Sequence, residues 1–100
     1  MKTKLSFSEL LKRAKTEEIA VHTPTEEQAK SLLKALYKRG YTWSSGQKLT
    51  AETWYGIYKE NTCYGFYLRK QVCYCSFDWY QNEGFTIIEF SDIDFAEIIN

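Results

Sequence analysis

Between Thr25 and Gly40 the apolar positions Ala29, Leu32, Leu33 and Leu36 fall at i, i+3, i+4 and i+7, the spacing of one helix face. The opposite side carries Glu26, Lys30, Lys34 and Lys38 at four-residue intervals, and Glu26 before Lys30 is the favourable ion-pair order. Thr23-Pro24-Thr25-Glu26 reads as a capping box, with Pro24 at the first helical position, where its missing N–H costs nothing. Gly40 sits just past the last turn, where left-handed backbone is wanted. A shorter helix is predicted from the capping box Ser6-Phe7-Ser8-Glu9 to about Lys15. Phe7, Leu10, Leu11 and Ala14 share its apolar face, with Leu5 and Leu10 as a hydrophobic staple.

Elsewhere the pattern shifts toward a period of two. Glu18–His22 reads as a short strand. Tyr41–Ser44 begins another, with Tyr41 and Trp43 on one face and Thr42 on the other, and Ser45-Gly46 is turn chemistry. Leu49–Glu60 supports two readings: Trp54 and Tyr58 share a helical turn, or Trp54–Tyr58 is an edge strand. Cys63–Leu68 and Val72–Phe77 form a hairpin across Arg69-Lys70-Gln71. Asp78–Gly84 reads as a loop, Phe85–Phe90 as a strand, and Asp92–Ile99 as a short helix capped by Asp92.

This order predicts one α+β domain over residues 1–100. Its antiparallel sheet has about four to five strands, one long amphipathic helix on one face, and short N- and C-terminal helices. A single helix can cover only one face of such a sheet.

Composition narrows the function. Aromatics make up 17% of the chain, eight of them tyrosine, which suits sheet faces and contact surfaces alike. Net charge is zero, so no global field draws in nucleic acid or an anionic membrane. The balance is lopsided, however. Ten Lys or Arg stand against five Glu up to Thr50, and three stand against eight Asp or Glu from Ala51 onward. Two surfaces follow as possible contacts, the Lys30, Lys34 and Lys38 stripe and the acidic tail from Glu83 through Glu97. No apolar run approaches the ~20 residues that span a bilayer, and Met1-Lys2-Thr3-Lys4-Leu5 lacks the apolar segment of a signal peptide. The expectation is a protein of a reducing cytoplasm without membrane contact, and an odd count of three cysteines fits free thiols.

Candidate chemistry is sparse. Cys63, Cys73 and Cys75 could be gathered by hairpin pairing, but zinc wants four ligands and the C-x2-C turn is absent. Cys73 and Cys75 point to one face of a strand and read as small core hydrophobes, so no metal or other cofactor is expected. His22 stands alone before a helix start, and no nucleophile motif or phosphate-cradling glycine loop accompanies it. Glu52, Glu60 and Asp78 have no spacing that pairs them as carboxylates. The chain is therefore expected not to be an enzyme. Tyr64-Gly65-Phe66-Tyr67-Leu68 is faintly like the aromatic strand of an RNA-binding sheet, yet it lacks the basic residue before the glycine. The composition that remains is that of a binding module. Trp43, Trp54, Tyr58, Trp79 and Tyr80 stand near the small polar residues Ser44, Ser45 and Asn82, as in adaptable recognition surfaces. Such a set also suits a small planar ligand such as a nucleotide.

The series Val21-His22-Thr23-x-Thr25-Glu26-Glu27, Leu33-x-x-Leu36, Gly40-Tyr41-x-Trp43-x-Ser45-Gly46, Thr62-Cys63-Tyr64 and Ile87-Ile88-x-Phe90 resembles small proteins encoded by phages and prophages of Gram-positive bacteria. The likeness spans roughly Ile19 to Asp92. It implies an accessory protein of the host cytoplasm that binds and blocks a host component. Anti-CRISPR-like inhibitors of antiviral systems share this size class, and act by occluding an effector protein or sequestering a nucleotide signal. These motifs are structural punctuation, so the resemblance carries no functional residues with it.

Overall fold

In the computed structural model, which describes residues 4–49, 53–66 and 70–95, the first element is β1 (Leu5–Ser6). The Ser6 hydroxyl then accepts the Glu9 N–H at 3.1 Å and opens α1 (Phe7–Arg13). The capping of α2 (Glu26–Lys38) is two residues later than the sequence suggested. Thr25, not Thr23, accepts from the Gln28 N–H at 3.2 Å, which leaves Pro24 ahead of the cap. Thr23 is buried and bonds backbone instead, its N–H and hydroxyl both reaching the Thr62 carbonyl. At the far end Gly40 takes φ +88°. Its N–H bonds the Tyr37 carbonyl at 3.0 Å while the Tyr41 N–H bonds that of Leu36 at 3.1 Å. This double closure is a Schellman end, and Tyr41 packs into the same core as Leu36.

With 13 residues, α2 spans about 20 Å. The expected long helix is absent. Four helices share the work among the described residues, the others being α3 (Tyr55–Tyr58) and α4 (Phe77–Asn82) beside α1. No helix there is long and apolar enough to cross a membrane. The strands are β2 (Ile19–His22), β3 (Thr42–Trp43), β4 (Thr62–Phe66), β5 (Gln71–Ser76), β6 (Thr86–Glu89) and β7 (Ile93–Asp94). Five form a sheet in the order β3-β5-β4-β2-β6, and β1 pairs β7 in a separate two-stranded ribbon.

The sheet is mixed rather than antiparallel. Only its centre, β2–β4–β5, runs antiparallel; β3 lies parallel to β5, and β6 parallel to β2. Hairpin chemistry announces neighbours joined by a turn, as it did for β4 and β5. The partners of β3 and β6 are reached across intervening elements, which no turn residue encodes. Two further expectations change. Asp78–Gly84 is not a loop: Ser76 accepts the Trp79 N–H at 3.2 Å and starts α4. The predicted helix from Asp92 begins instead as a 3-10 turn, Phe90–Asp92, followed by β7; its remainder from residue 96 lies outside the described residues, as do Tyr67, Leu68 and Arg69.

Alternation along the strands sorts the core into two layers. Ile19 and Val21, Tyr64 and Phe66, and Val72 join Leu10, Leu32, Leu33 and Leu36 beneath α1 and α2. Ala20 and Cys63 point the other way, where Tyr80 of α4 packs with Cys75, Phe77, Phe85 and Ile87. Both faces of the sheet therefore carry helix, contrary to the one-sided expectation. At Gly65 the second layer comes closest: an added Cβ would stand 2.7 Å from the Tyr80 ring and hydroxyl.

Candidate binding cleft

The cleft exists because β3 is short. The Thr42 N–H bonds the Lys70 carbonyl and the Ser44 N–H bonds that of Val72, each at 3.1 Å, and there the chain turns away from β5. The turn is built by Ser44-Ser45-Gly46. The Gly46 N–H returns to the Trp43 carbonyl at 2.8 Å, the Trp43 N–H bonds Gln47 O at 3.0 Å, and Gly46 adopts φ +93°. A three-residue loop with its last residue left-handed is a standard hairpin closure. The corner vacated beside β5 is an open cleft of about 470 Å³ lined by Trp43, Ser44, Ser45, Gln47, Trp54, Val72, Cys73 and Tyr74.

Aromatic rings frame it. Trp54 stacks on Tyr74 with centroids 5.7 Å apart and planes 9° from parallel. Trp43 meets the same tyrosine edge-on at 5.8 Å and 79°. Trp43 is 4% exposed, yet its indole Nε1 is buried with no hydrogen-bond partner among the described residues, an uncommon state for a buried tryptophan. Behind the frame, Tyr58 lies 6.3 Å from Tyr74 and its hydroxyl accepts a weak bond from Cys75 Sγ at 3.8 Å.

Trp54 and Tyr58 are held by the segment whose pattern was ambiguous. From Tyr55 onward it is helical, with Thr50, Ala51 and Glu52 outside the described residues. Trp54 at φ 60° and Lys59 at φ 51° bracket α3 in left-handed backbone, which costs a non-glycine residue about 1–3 kcal/mol. The Tyr55 hydroxyl donates to the Pro24 carbonyl at 2.6 Å, and that of Tyr64 donates to Thr53 O, so the bracket is tied to the body of the protein.

Of the residues singled out from the sequence, Trp43, Ser44, Ser45 and Trp54 line one cleft, and Tyr58 supports it. Trp79, Tyr80 and Asn82 belong to α4, on the opposite layer. Tyr80 is core: its hydroxyl accepts the Gly65 N–H at 3.0 Å and donates to the Cys73 carbonyl at 3.1 Å. Trp79 is exposed, 5.1 Å from the Tyr80 ring, and Asn82 is exposed too. Sequence reasoning missed Gln47, Val72, Cys73 and Tyr74. The alternation of Val72 and Tyr74 was available as a signal, but nothing local showed that β3 would end beside them.

The remaining polar groups are structural in their contacts. His22 is the last residue of β2. Its Nδ1 faces both Glu89 oxygens at 2.8 and 2.9 Å, and its Nε2 meets the Glu60 carbonyl at 2.7 Å. Both ring nitrogens are thus engaged within the fold, holding β2 to β6 and to the Glu60 backbone. Glu60 and Asp78 are exposed. Cys63 is the core thiol, whereas Cys73 is exposed and Cys75 half-buried, so the pair expected inside is the more accessible one. Burial, then the nearby Glu89, pushes the Cys63 thiol up to about 12. Among the described residues no three His, Cys, Asp or Glu are grouped to hold a metal. Lys30, Lys34 and Lys38 are exposed along α2. Compared with family models, curated proteins and solved structures, the chain has no match.

Proposed function

We propose that the chain is a non-enzymatic recognition protein that binds a host protein at the cleft beside Trp43–Gly46 and inhibits it. The phage setting and the antiviral target class rest on the sequence resemblance; the cleft supports the binding. The observation that carries the reading is the convergence of a buried indole, an exposed indole stacked on a tyrosine, and two serines on a three-residue turn. Aromatic anchors beside small polar groups are the usual makeup of energetic centres in protein interfaces. Catalysis has less support, since among the described residues the lining thiol, Cys73, is joined there by neither histidine nor carboxylate. A second reading, a small planar ligand, is favoured by the aromatic walls Trp54 and Tyr74. A planar base could stack there, whereas a nucleotide's phosphates would meet no cation among the described lining side chains.

The test compares wild type, Trp54→Ala and Ser44→Ala/Ser45→Ala, matched for thermal stability, as baits in host lysate. Mass spectrometry then reads both bound proteins and released nucleotides. A protein held by wild type and bound about thirtyfold more weakly by Trp54→Ala, a loss of about 2 kcal/mol, is the expected result. Release of a nucleotide in place of a protein would favour the second reading. Equal retention by all three baits would remove the cleft.

A further inference from the structure

Strand geometry says how a protein would occupy this cleft. Along β5 the backbone N–H and C=O of successive residues point alternately to the two sides. The Val72 carbonyl faces β3, since it accepts the Ser44 N–H. The Cys73 carbonyl faces β4, where the Tyr80 hydroxyl bridges it to the Gly65 N–H. Tyr74 therefore faces the β3 side again, but β3 pairs only with Gln71 and Val72. Neither the N–H nor the C=O of Tyr74 has a hydrogen-bond partner on that side among the described residues. The cleft thus has a backbone donor and acceptor in its floor, at the place where a neighbouring strand would continue.

We infer that the cleft binds its protein partner by strand addition. A short extended segment of the partner takes up the edge of β5 where β3 leaves it, and pairs with the Tyr74 N–H and C=O. This rests on the reading of the cleft as a protein-binding site. Main-chain pairing supplies affinity in this mode, and side-chain pockets at every second position supply specificity. One side chain of the added strand enters between Trp54 and the Ser44-Ser45 turn. None of the described lining side chains is charged, so the seated stretch is uncharged: a buried carboxylate or ammonium would find no counter-charge among them.

The probe is a random twelve-residue peptide library displayed on phage, panned against the full chain, with the enriched peptides then synthesised. Enriched peptides should carry an uncharged core of alternating character. Binding should slow hydrogen exchange of the Tyr74 amide. N-methylation of peptide positions in one alternate register should weaken binding at least tenfold, and methylation in the other register should be tolerated. Trp54→Ala should weaken the same peptides. If Trp54→Ala abolishes binding while neither register of N-methylation matters and Tyr74 exchange is unchanged, strand addition is wrong and the cleft survives as a site. Peptides indifferent to Trp54→Ala would bind elsewhere and take the cleft reading down with the inference. Failure of the library to enrich any binder also overturns strand addition.

Discussion

The two layers of the sheet are built on different principles. Beneath α1 and α2, aliphatic side chains at helical spacing fill space, and Leu10, Leu32 and Leu36 are fully buried. On the other side a six-residue helix sets one tyrosine directly over a glycine and ties its hydroxyl to two strands. The first layer depends on volume, the second on a single close fit. The difference teaches that cover for a sheet face need not come from a periodic apolar helix, so a face with no such helix in the sequence is not thereby open.

The largest effect should come from the volume-filled layer. Leu36→Ala or Leu33→Ala leaves a cavity and should cost about 2–5 kcal/mol in chemical denaturation. A loss under about 1 kcal/mol for both would mean that layer can collapse, and the contrast would fail. In the fitted layer, Gly65→Ala drives a methyl into the Tyr80 ring and should cost about 1–3 kcal/mol. Tyr80→Phe keeps the ring but strands the Gly65 N–H and Cys73 carbonyl, at a similar cost. A stable Gly65→Ala protein would show that Tyr80 has room to move.

The same layer should respond to alkali through Cys63. Its thiol stays protonated in the fold up to about 12, while the unfolded chain releases that proton near the ordinary thiol value, about 8.5. The folded pKa is the higher one, so this contribution is complete below the ordinary thiol range and is lost as pH rises toward about 12. At pH 10 the loss should be about 1–2 kcal/mol. Stability curves for wild type and Cys63→Ala at pH 7 and pH 10 measure it: the drop should be smaller in the variant, and equal drops would contradict the burial. The smallest effect expected is a gain. Lys59→Gly relieves left-handed backbone and should raise stability by about 1 kcal/mol. A net loss would show that the Lys59 side chain matters more than its backbone strain.

These contrasts also explain what the sequence made legible. The Leu-faced helix, Gly40 as its end, and the β4–β5 hairpin all follow from interactions within a few residues. So does the adjacency of Trp43 to Ser44-Ser45 in the cleft wall. What was hidden depends on distant partners. Phe77–Asn82 has only six residues, too few for a periodic signal, and its polar Gln81 and Asn82 read as turn residues. Tyr74 reads as an ordinary strand residue until β3 is known to stop at Trp43. Gly65 looks like a weak point in a strand, and only Tyr80, fifteen residues on, gives it a purpose.

The position of β2 has a consequence for the growing chain. Its neighbours are β4 on one side and β6 on the other, so Ile19 pairs with both Phe66 and Thr86. During synthesis Ile19-Ala20-Val21, an apolar strand fully buried in the finished fold, has an unfilled edge until Thr86–Glu89 emerges. Pairings this distant in sequence close slowly, and an unpaired apolar edge is a template for association with other chains. A ribosome stalling after the β4–β5 hairpin would thus release a species with most of its helices, one of the two edges of β2 unpaired, and a tendency to aggregate. Expression trials of chains truncated before Phe85 should recover that species in inclusion bodies.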